Sequence, residues 1–465
     1  MAQSPTVDLP KRLPLVIIPS NRYEGTSKDA KLVNCYMEQG QDGETWIYKR
    51  PGLARSSQPS GGAATGRGIF NWNGNIYSIF GNTLYKDGVA VAGTVDTTNG
   101  VYRFDMCLGA TPKLQLGNGV KGYNYDAGSG LVVISDVNFP AAFVKGWSYL
   151  DGTTYVMTSA AAIKGSNIND PTTWNALNTI TAQIDPDGGV ALSKQLNYVV
   201  AFKQWTTEIF YDAANATGSP LGTVPQARVN WGCVSADSVQ NIDGALLWLS
   251  TTRSSSMVIV MMDQLKASRI STPPVERLLD DLDTTTIYSW QHKDQGHKFY
   301  IITSVVSNLT LVYDLDEQIW SQWTDSNGNY VPIVSSTYTS TQEHLVQHES
   351  DGYIYTLDEE TYTDNTASII VDIVTPNFDG NTRRRKLMNY MGFVADQVNG
   401  STLQIRSSDD DYQTWTNWRT VDLSTPRPFL EECGTFTRRA HHFRHTSNTA
   451  FRLQAIDLQL DLGTL

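Results

Sequence analysis

Gly117-Asn118-Gly119-Val120-Lys121-Gly122 has the GxGxxG spacing of a dinucleotide-binding turn. Such a turn must open a helix whose first amides face the pyrophosphate. Here Tyr123-Asn124-Tyr125-Asp126 follows, a strand-like run, so the spacing reads as a tight turn between strands. His441 and His445 stand at i, i+4, the spacing of two helical metal ligands, without the glutamate of HExxH. In an extended segment His441, Phe443 and His445 share one face, and His442 and Arg444 the other. Arg438, Arg439 and Arg444 would repel a cation, which favours a surface or subunit-contact patch over a metal site. Asp280, Asp281 and Asp283, or Asp314, Asp316 and Glu317, could supply the two carboxylates that a glycosidase holds about 5–9 Å apart. Among 47 acidic residues such groupings arise by chance, and no GxSxG, P-loop, HExxH or triad order accompanies them. The sequence therefore points to no catalytic, cofactor-binding or metal-binding residue. It reads as a protein that is not an enzyme and needs no cofactor.

Two patterns speak of shape and contact instead. Ser408-Asp409-Asp410-Asp411-Tyr412-Gln413-Thr414-Trp415 resembles the Asp-box of sialidase-type hairpins, with Tyr412 where that pattern has glycine; there the box shapes a turn. Arg383-Arg384-Arg385-Lys386 is the one dense basic run, able to meet phosphate or acidic groups of another subunit. The charge distribution favours the second partner. Residues 366–465 carry eleven basic and eleven acidic side chains, so the net −12 of the chain lies in residues 1–365. A chain so acidic gains little from neutralising phosphates, which argues against general capture of DNA.

The elements that hold these side chains follow from composition and rhythm. With 465 residues the chain exceeds a single small module, and its charged share of 18% falls below the usual ~25%. Twenty-two tyrosines and 12 tryptophans suit pleated sheets. The longest apolar runs, Leu13 to Ile18 and Met257 to Met262, fall far short of the about 18–20 residues that span a bilayer. No membrane insertion is expected, and no basic-then-apolar leader opens the chain. Cys35, Cys107, Cys233 and Cys433 are too widely spaced for a zinc or CxxC pattern and read as reduced, mostly buried thiols.

Residues 1–65, rich in proline and without sustained period, read as an extended N-terminal arm. From residue 66 short apolar segments alternate with turn residues. Seven such units appear: Ile76 to Phe80, Leu114 to Tyr125, Trp147 to Met157, Leu196 to Tyr211, Leu246 to Met262, His297 to Trp323, and His344 to Leu357. A period of about 35–50 residues is that of four-stranded propeller blades. One helix is predicted over 271–282, with Thr272 as cap, Pro273 at its first position, and Val275, Leu278, Leu279 and Leu282 on one face. A polar break at 363–368 precedes a last alternating segment. The predicted fold is all-β: a β-propeller-like repeat body over 66–364, and a C-terminal antiparallel β-domain, or platform, over 365–465.

Three stretches carry a resemblance. Asn34-Cys35-Tyr36-Met37-Glu38 followed by Lys49-Arg50-Pro51-Gly52-Leu53 looks like the "N-x-Y-x-E … P-G-L" signature of the packaged-DNA stabilisation proteins, the tail-hub or nozzle subunits of short-tailed phages. Thr207 to Asp212 with Gly232 to Val239, and Val312 to Asp316 leading into Trp320-Ser321-Gln322-Trp323, are similar to later segments of that family. The resemblance spans residues 30 to 325. It implies a structural virion protein of the tail, assembled in the host cytoplasm as a homo-oligomer in the family's hexameric form, with the arm 1–65 contributing to platform and adaptor contacts. It implies a ring below the portal and its adaptor proteins that closes the channel, retains packaged DNA and conducts it at ejection without binding it specifically. A tail needle or plug, and fibres or spikes, are further implied neighbours. Asn34, Tyr36, Glu38, Pro51, Gly52 and Leu53, with Arg383, Arg384, Arg385 and Lys386, are the motif and interface candidates. The alternative is a glycan-binding or glycan-cleaving propeller of the tail; against it, Trp72, Trp147, Trp231, Trp248, Trp290, Trp320 and Trp323 sit where blades would pack.

Overall fold

The computed structural model describes residues 11–15, 30–40, 44–224, 227–254 and 256–463. Pro5, Pro10, Pro19 and the apolar run beyond Leu15 lie outside the described residues. Within them, alternating segments pair with their sequence neighbours into seven four-stranded antiparallel blades, at 66–90, 103–133, 148–181, 189–223, 240–269, 287–322 and 333–358. Each of the seven sequence units falls on one blade, with Trp147 and Trp323 one residue outside blades 3 and 6. The first strand of each blade lines the axis, and Ile333–Tyr338 of blade 7 packs against Gly66–Trp72 of blade 1 to complete the circle.

Blade 7 supplies only three strands from its own stretch of chain. The fourth is Gly52–Ser57, antiparallel to Ile354–Asp358 on the outside. Both ends of the propeller thus meet in one sheet, which closes the ring without leaving a first and last blade free to part.

A repeat signal accompanies the blades. At or just after the end of the third strand stand Asp87, Asp126, Asp212, Asp263, Asp314 and Asp358, with Asn167 in blade 3. Several close the following turn through their own carboxylates. Asp126 Oδ1 accepts from the Gly128 and Ser129 amides at 2.9 and 2.7 Å, and Asp314 Oδ1 from those of Asp316 and Glu317 at 3.0 and 3.3 Å. An Asx turn needs only a short carboxylate two or three residues before the amides, so the mark is one residue per blade and is easily passed over.

Cores lie between blades. Phe202 and Trp248 meet edge to face, 4.9 Å apart, within the cluster joining blades 4 and 5. The helix Pro273–Asp280 drops Val275 and Leu279, with Leu282 beyond it, into the cluster of blades 5 and 6. It differs from the predicted helix in two respects. Thr272 makes no side-chain capping bond, and Leu278 points to solvent, so the apolar face has three members.

The platform is a two-sheet sandwich. One sheet runs in the order Cys35–Gln39, Thr45–Lys49, Arg452–Leu462, Lys386–Ala395, Phe429–Glu431. The other holds Lys31–Val33, Val371–Val374, Ala440–His445, Thr402–Ser408 and Arg419–Asp422, and it continues blade 6 through a parallel bridge of Val33 to Gln322. Cys35, Ile47, Ile373, Met388, Phe443 and Ile456 fill the space between them. Within the stretch predicted as an arm, Lys31–Val33, Cys35–Gln39 and Thr45–Lys49 are therefore strands of the platform, and Gly52–Ser57 is the strand that closes blade 7.

Candidate functional site

The family-like motif residues gather at the joint between platform and propeller. Asn34 stands between two strands with φ 55°, a left-handed backbone that asparagine tolerates better than most side chains. Its buried amide is fully used: Nδ2 donates to Thr324 Oγ1 at 2.9 Å and to the Ile370 carbonyl at 2.8 Å. Oδ1 accepts from Arg50 Nε at 2.9 Å and from the Thr324 amide at 2.8 Å. Arg50 is 1% exposed and pairs end-on with Asp364, Nη1 to Oδ1 at 3.0 Å and Nη2 to Oδ2 at 2.6 Å. Its remaining donors reach the Pro51 and Thr324 carbonyls, and its plane lies 5.3 Å from the Trp323 ring. A buried guanidinium is tolerable only with such complete satisfaction.

The neighbouring motif residues pack this joint. Tyr36 stacks on Tyr48 with ring centroids 5.4 Å apart and meets His297 and Phe299 edge-on, so the platform rests on the core of blades 6 and 7. Burial raises its hydroxyl far above the usual phenol range. Glu38 lies on the same strand, half-buried, opposite Trp46. Gly52 opens the closing strand where a Cβ would stand 2.4 Å from the Thr363 carbonyl, so no larger residue fits without moving 361–363. Leu53 enters the same core, and its carbonyl accepts from the Asn365 amide at 2.6 Å. Asn34, Tyr36, Pro51, Gly52 and Leu53 are all buried inside one chain, where they join platform to propeller.

The propeller axis carries a second polar cluster. Asp237, just ahead of blade 5, accepts from Lys145 Nζ at 2.6 Å and lies 3.7 Å from Arg103 Nη2; Lys145 precedes blade 3 and Arg103 opens blade 2. Lys145 also bridges Ala191 of blade 4, and the helical turn of Asp237 touches that same first strand, so the link ties together the inner ends of blades 2–5. Beside it Glu349 accepts from the Tyr288 and Tyr330 hydroxyls at 2.9 and 2.7 Å.

The basic run divides. Arg383, Arg384 and Arg385 are exposed, and Arg384 and Arg385 donate to neutral oxygens, the Gly463 carbonyl and Thr435 Oγ1. Lys386 is buried, its ammonium held by the carbonyls of Thr382, Arg384 and Thr437 at 2.7–2.9 Å, and so leaves the surface patch. The histidine patch is likewise not superficial. His441, His442 and His445 are buried in the strand Ala440–His445, with the predicted alternation: His441 stacks on Phe443, while His442 Nε2 and Arg444 Nε both reach Asp372 Oδ1 at 2.7 Å. Burial lowers His441 to about 3 and His445 to about 3, so both stay neutral.

The remaining candidates are structural. Asn118 Oδ1 accepts from the Val120 and Lys121 amides, making the GxGxxG segment a hairpin turn. In the Asp-box segment Asp410 accepts from Ser408 and Thr414, Asp409 pairs with Arg439, and Asp411 with Arg438. Asp314 is held by His297 Nδ1 at 2.7 Å and by its own turn. Trp72, Trp147, Trp248, Trp290 and Trp323 are buried, and Trp231 and Trp320 partly so. Among the described residues no group of three or more metal-type side chains converges. All four cysteines are free. What the sequence reading missed is Arg50 with its partners Asp364 and Thr324. Arg50 lay inside the quoted motif, and its neighbour Pro51-Gly52 was the available signal, but a charged residue gives no local sign of being buried.

Comparison with known proteins adds the rest. No curated protein matches the chain. Among solved structures, the extracellular domain of the one component system BT4673 from B. thetaiotaomicron is similar at 9% identity and TM-score 0.42, covering 86% of this chain and 58% of that one. Virginiamycin B lyase from Staphylococcus aureus is similar at 10% identity and TM-score 0.42, covering 66% and 98%. YCF48 bound to D1 peptide is similar at 14% and 0.40, covering 69% and 98%. A family model described as Bacteriophage P22 Gp10, beta-propeller, matches residues 29–362, a span that holds the platform strands from Lys31–Val33 to Thr45–Lys49 and all seven blades. With seven blades closed by their own N-terminal strand and a motif that builds the joint, the chain belongs to this family of phage DNA-stabilisation proteins.

Proposed function

We propose that the chain forms a closed ring in the phage tail, a hub or nozzle that shuts the portal channel, retains packaged DNA and conducts it at ejection. The observation that carries this reading is the match of residues 29–362 to a family model of phage DNA-stabilisation proteins. Retaining a duplex and conducting it between copies requires a ring. Six copies, as in the resemblance drawn from the sequence, are the proposed number. Adaptor proteins below the portal are the proposed upper neighbours, and a needle, fibres or spikes the lower ones.

The charge pattern suits such a passage. The net −12 lies in residues 1–365, so acidic side chains of the body face a lumen in which phosphates meet like charge. Each close pair costs only about 1 kcal/mol at 4 Å in water. Many such weak repulsions prevent adhesion to DNA, which carries one charge per ~1.7 Å of axis, without stopping forced passage. Retention is then mechanical, by a constriction or a plug. Arg383, Arg384 and Arg385 contact a neighbouring subunit in this scheme. Electron imaging of tails, together with the DNA content of heads assembled without the protein, tests it. A ring around a central channel and heads that lose their DNA are expected. A single copy off the tail axis, heads that keep DNA, or a positive lumen would refute it.

A further inference from the structure

Between the two platform sheets, at the end marked by Ser407 and His441, lies a cavity of about 370 Å³. Its apolar walls are Met391 and Leu430 from one sheet and Ile405 from the other. His441 lines it too, on the same strand face as the core residue Phe443, and is fully buried. Its Nδ1 lies 3.0 Å from Ser407 Oγ, but its Nε2 has no partner. His442, on the opposite face, has both ring nitrogens bonded, to Arg406 and Asp372. A buried polar atom left unbonded is costly, so Nε2 marks a place for a further group.

The rest of the polar lining offers hydrogens. Thr416 Oγ1 accepts from the Ser407 amide at 3.0 Å, and Thr435 Oγ1 from Arg385 Nε and Nη2 at 3.2 and 2.8 Å, so each hydroxyl keeps its own hydrogen to donate. Arg419 spends only part of its donors, on the Glu431 and Glu432 carbonyls at 2.7 and 3.1 Å. Burial raises the Cys433 sulfhydryl, outweighing Arg419 and Arg439, so it stays a thiol. The charges nearly balance. Arg439 is paired with Asp409, Arg406 is stacked on Trp415 and Trp418, and Glu431 stands opposite Tyr390 on the outer face of its sheet. Arg385 and Arg419 against Glu432 then leave one positive charge.

A cavity whose polar groups are donors takes an acceptor, and apolar walls take a carbon stem. One surplus positive charge suits a monoanion better than a phosphate dianion. We infer that this mouth of the platform binds a carboxylate carried on a short apolar stem, with donors drawn from Arg419, Thr416, Thr435 and His441. His441 takes part as the tautomer in which Nδ1 accepts the Ser407 hydroxyl hydrogen and Nε2 carries its own. A free acid and the carboxyl end of a partner polypeptide share this chemistry. The site is independent of the ring proposed above.

Alkylation of the full chain by N-ethylmaleimide reads the site, because Cys35, Cys107 and Cys233 are buried and Cys433, which lines the cavity, is partly open. Isovalerate is expected to block labelling of Cys433 at saturation, whereas isovaleramide and inorganic phosphate leave its rate unchanged. Arg419→Gln should raise the isovalerate concentration needed for half-protection about tenfold. Thr416→Val, at an exposed position where folding is not at stake, should raise it severalfold with an unchanged unfolding midpoint. Acetyl-leucine separates the two sources: protection at lower concentration than isovalerate assigns the site to a polypeptide end, and at higher concentration to a free acid. Absence of protection by both carboxylates, equal protection by the amide or by phosphate, or undiminished protection in both variants overturns the proposal.

Discussion

Replacing Arg50 by methionine is the sharpest probe of the joint. The substitution keeps length and apolar bulk but deletes the donors to Asn34 Oδ1, to the Pro51 and Thr324 carbonyls, and to both oxygens of Asp364. Asp364, whose side chain is 15% exposed in the ion pair, is left without its cation. Breaking a buried pair from one side costs about 3–5 kcal/mol, because the surviving charge cannot be rehydrated. Asp364→Asn strands the guanidinium instead and should cost a similar amount. In the double variant no unpaired charge remains, so it should cost about 1–3 kcal/mol less than the sum of the two. Urea unfolding read by tryptophan fluorescence is a local assay, since Trp323 lies 5.3 Å from the Arg50 guanidinium. The platform is expected to separate from the propeller at lower urea, splitting one transition into two. Strict additivity, or a loss below about 1 kcal/mol for Arg50→Met, would show that this pair does not hold the bodies together.

Other perturbations act on closure, burial and protonation. Gly52→Ala drives a methyl against the Thr363 carbonyl, and hydrogen exchange of 361–365 should accelerate; unchanged protection would show that the segment yields freely. Lys203 is fully buried between Asp187 and Glu208, at 2.8 and 2.5 Å, so Lys203→Met should destabilise blade 4 by about 3–5 kcal/mol in urea, and a near-neutral effect would contradict it. Burial holds His441 and His445 at about 3, below the ~6.5 of the unfolded chain, so the unfolded state binds more protons and stability falls as pH drops from about 6.5 towards 3. Burial pushes Asp372 upward, yet bonds from His442 and Arg444 outweigh it and hold the carboxyl at about 2, adding a second loss as pH falls below ~3.9. A urea midpoint that stays flat from pH 6.5 to 4 would refute the histidine part. Deleting residues 1–50 spares the closing strand and should leave a folded propeller that fails to enter tails, whereas deletion through 57 should expose blade 7 to protease; normal incorporation of the shorter deletion would rule this out.

Much of this was legible along the chain because the relevant forces are local. Alternation of apolar residues and turn residues sets strands, and seven such units correspond to seven blades. Thr272-Pro273-Pro274 announces the helix, and the Tyr123 strand after Gly122 rules out a nucleotide turn. The Asx turn at each third strand was equally local, but a single aspartate stands out poorly among 47 acidic residues.

Composition, order and spacing thus determined by themselves the class of fold and the family. They could not determine where the strands at 31–33, 35–39, 45–49 and 52–57 pair, because a strand's hydrogen-bonding edges are the same whatever partner they meet. Only the closed ring places Gly52–Ser57 beside Ile354–Asp358, some 300 residues away in sequence, and only that closure brings Arg50 to Asp364. Burial of His441, His445 and Lys386 was likewise settled by the two sheets meeting. A polar side chain is kept inside when distant backbone atoms satisfy it, and those atoms come together in space alone.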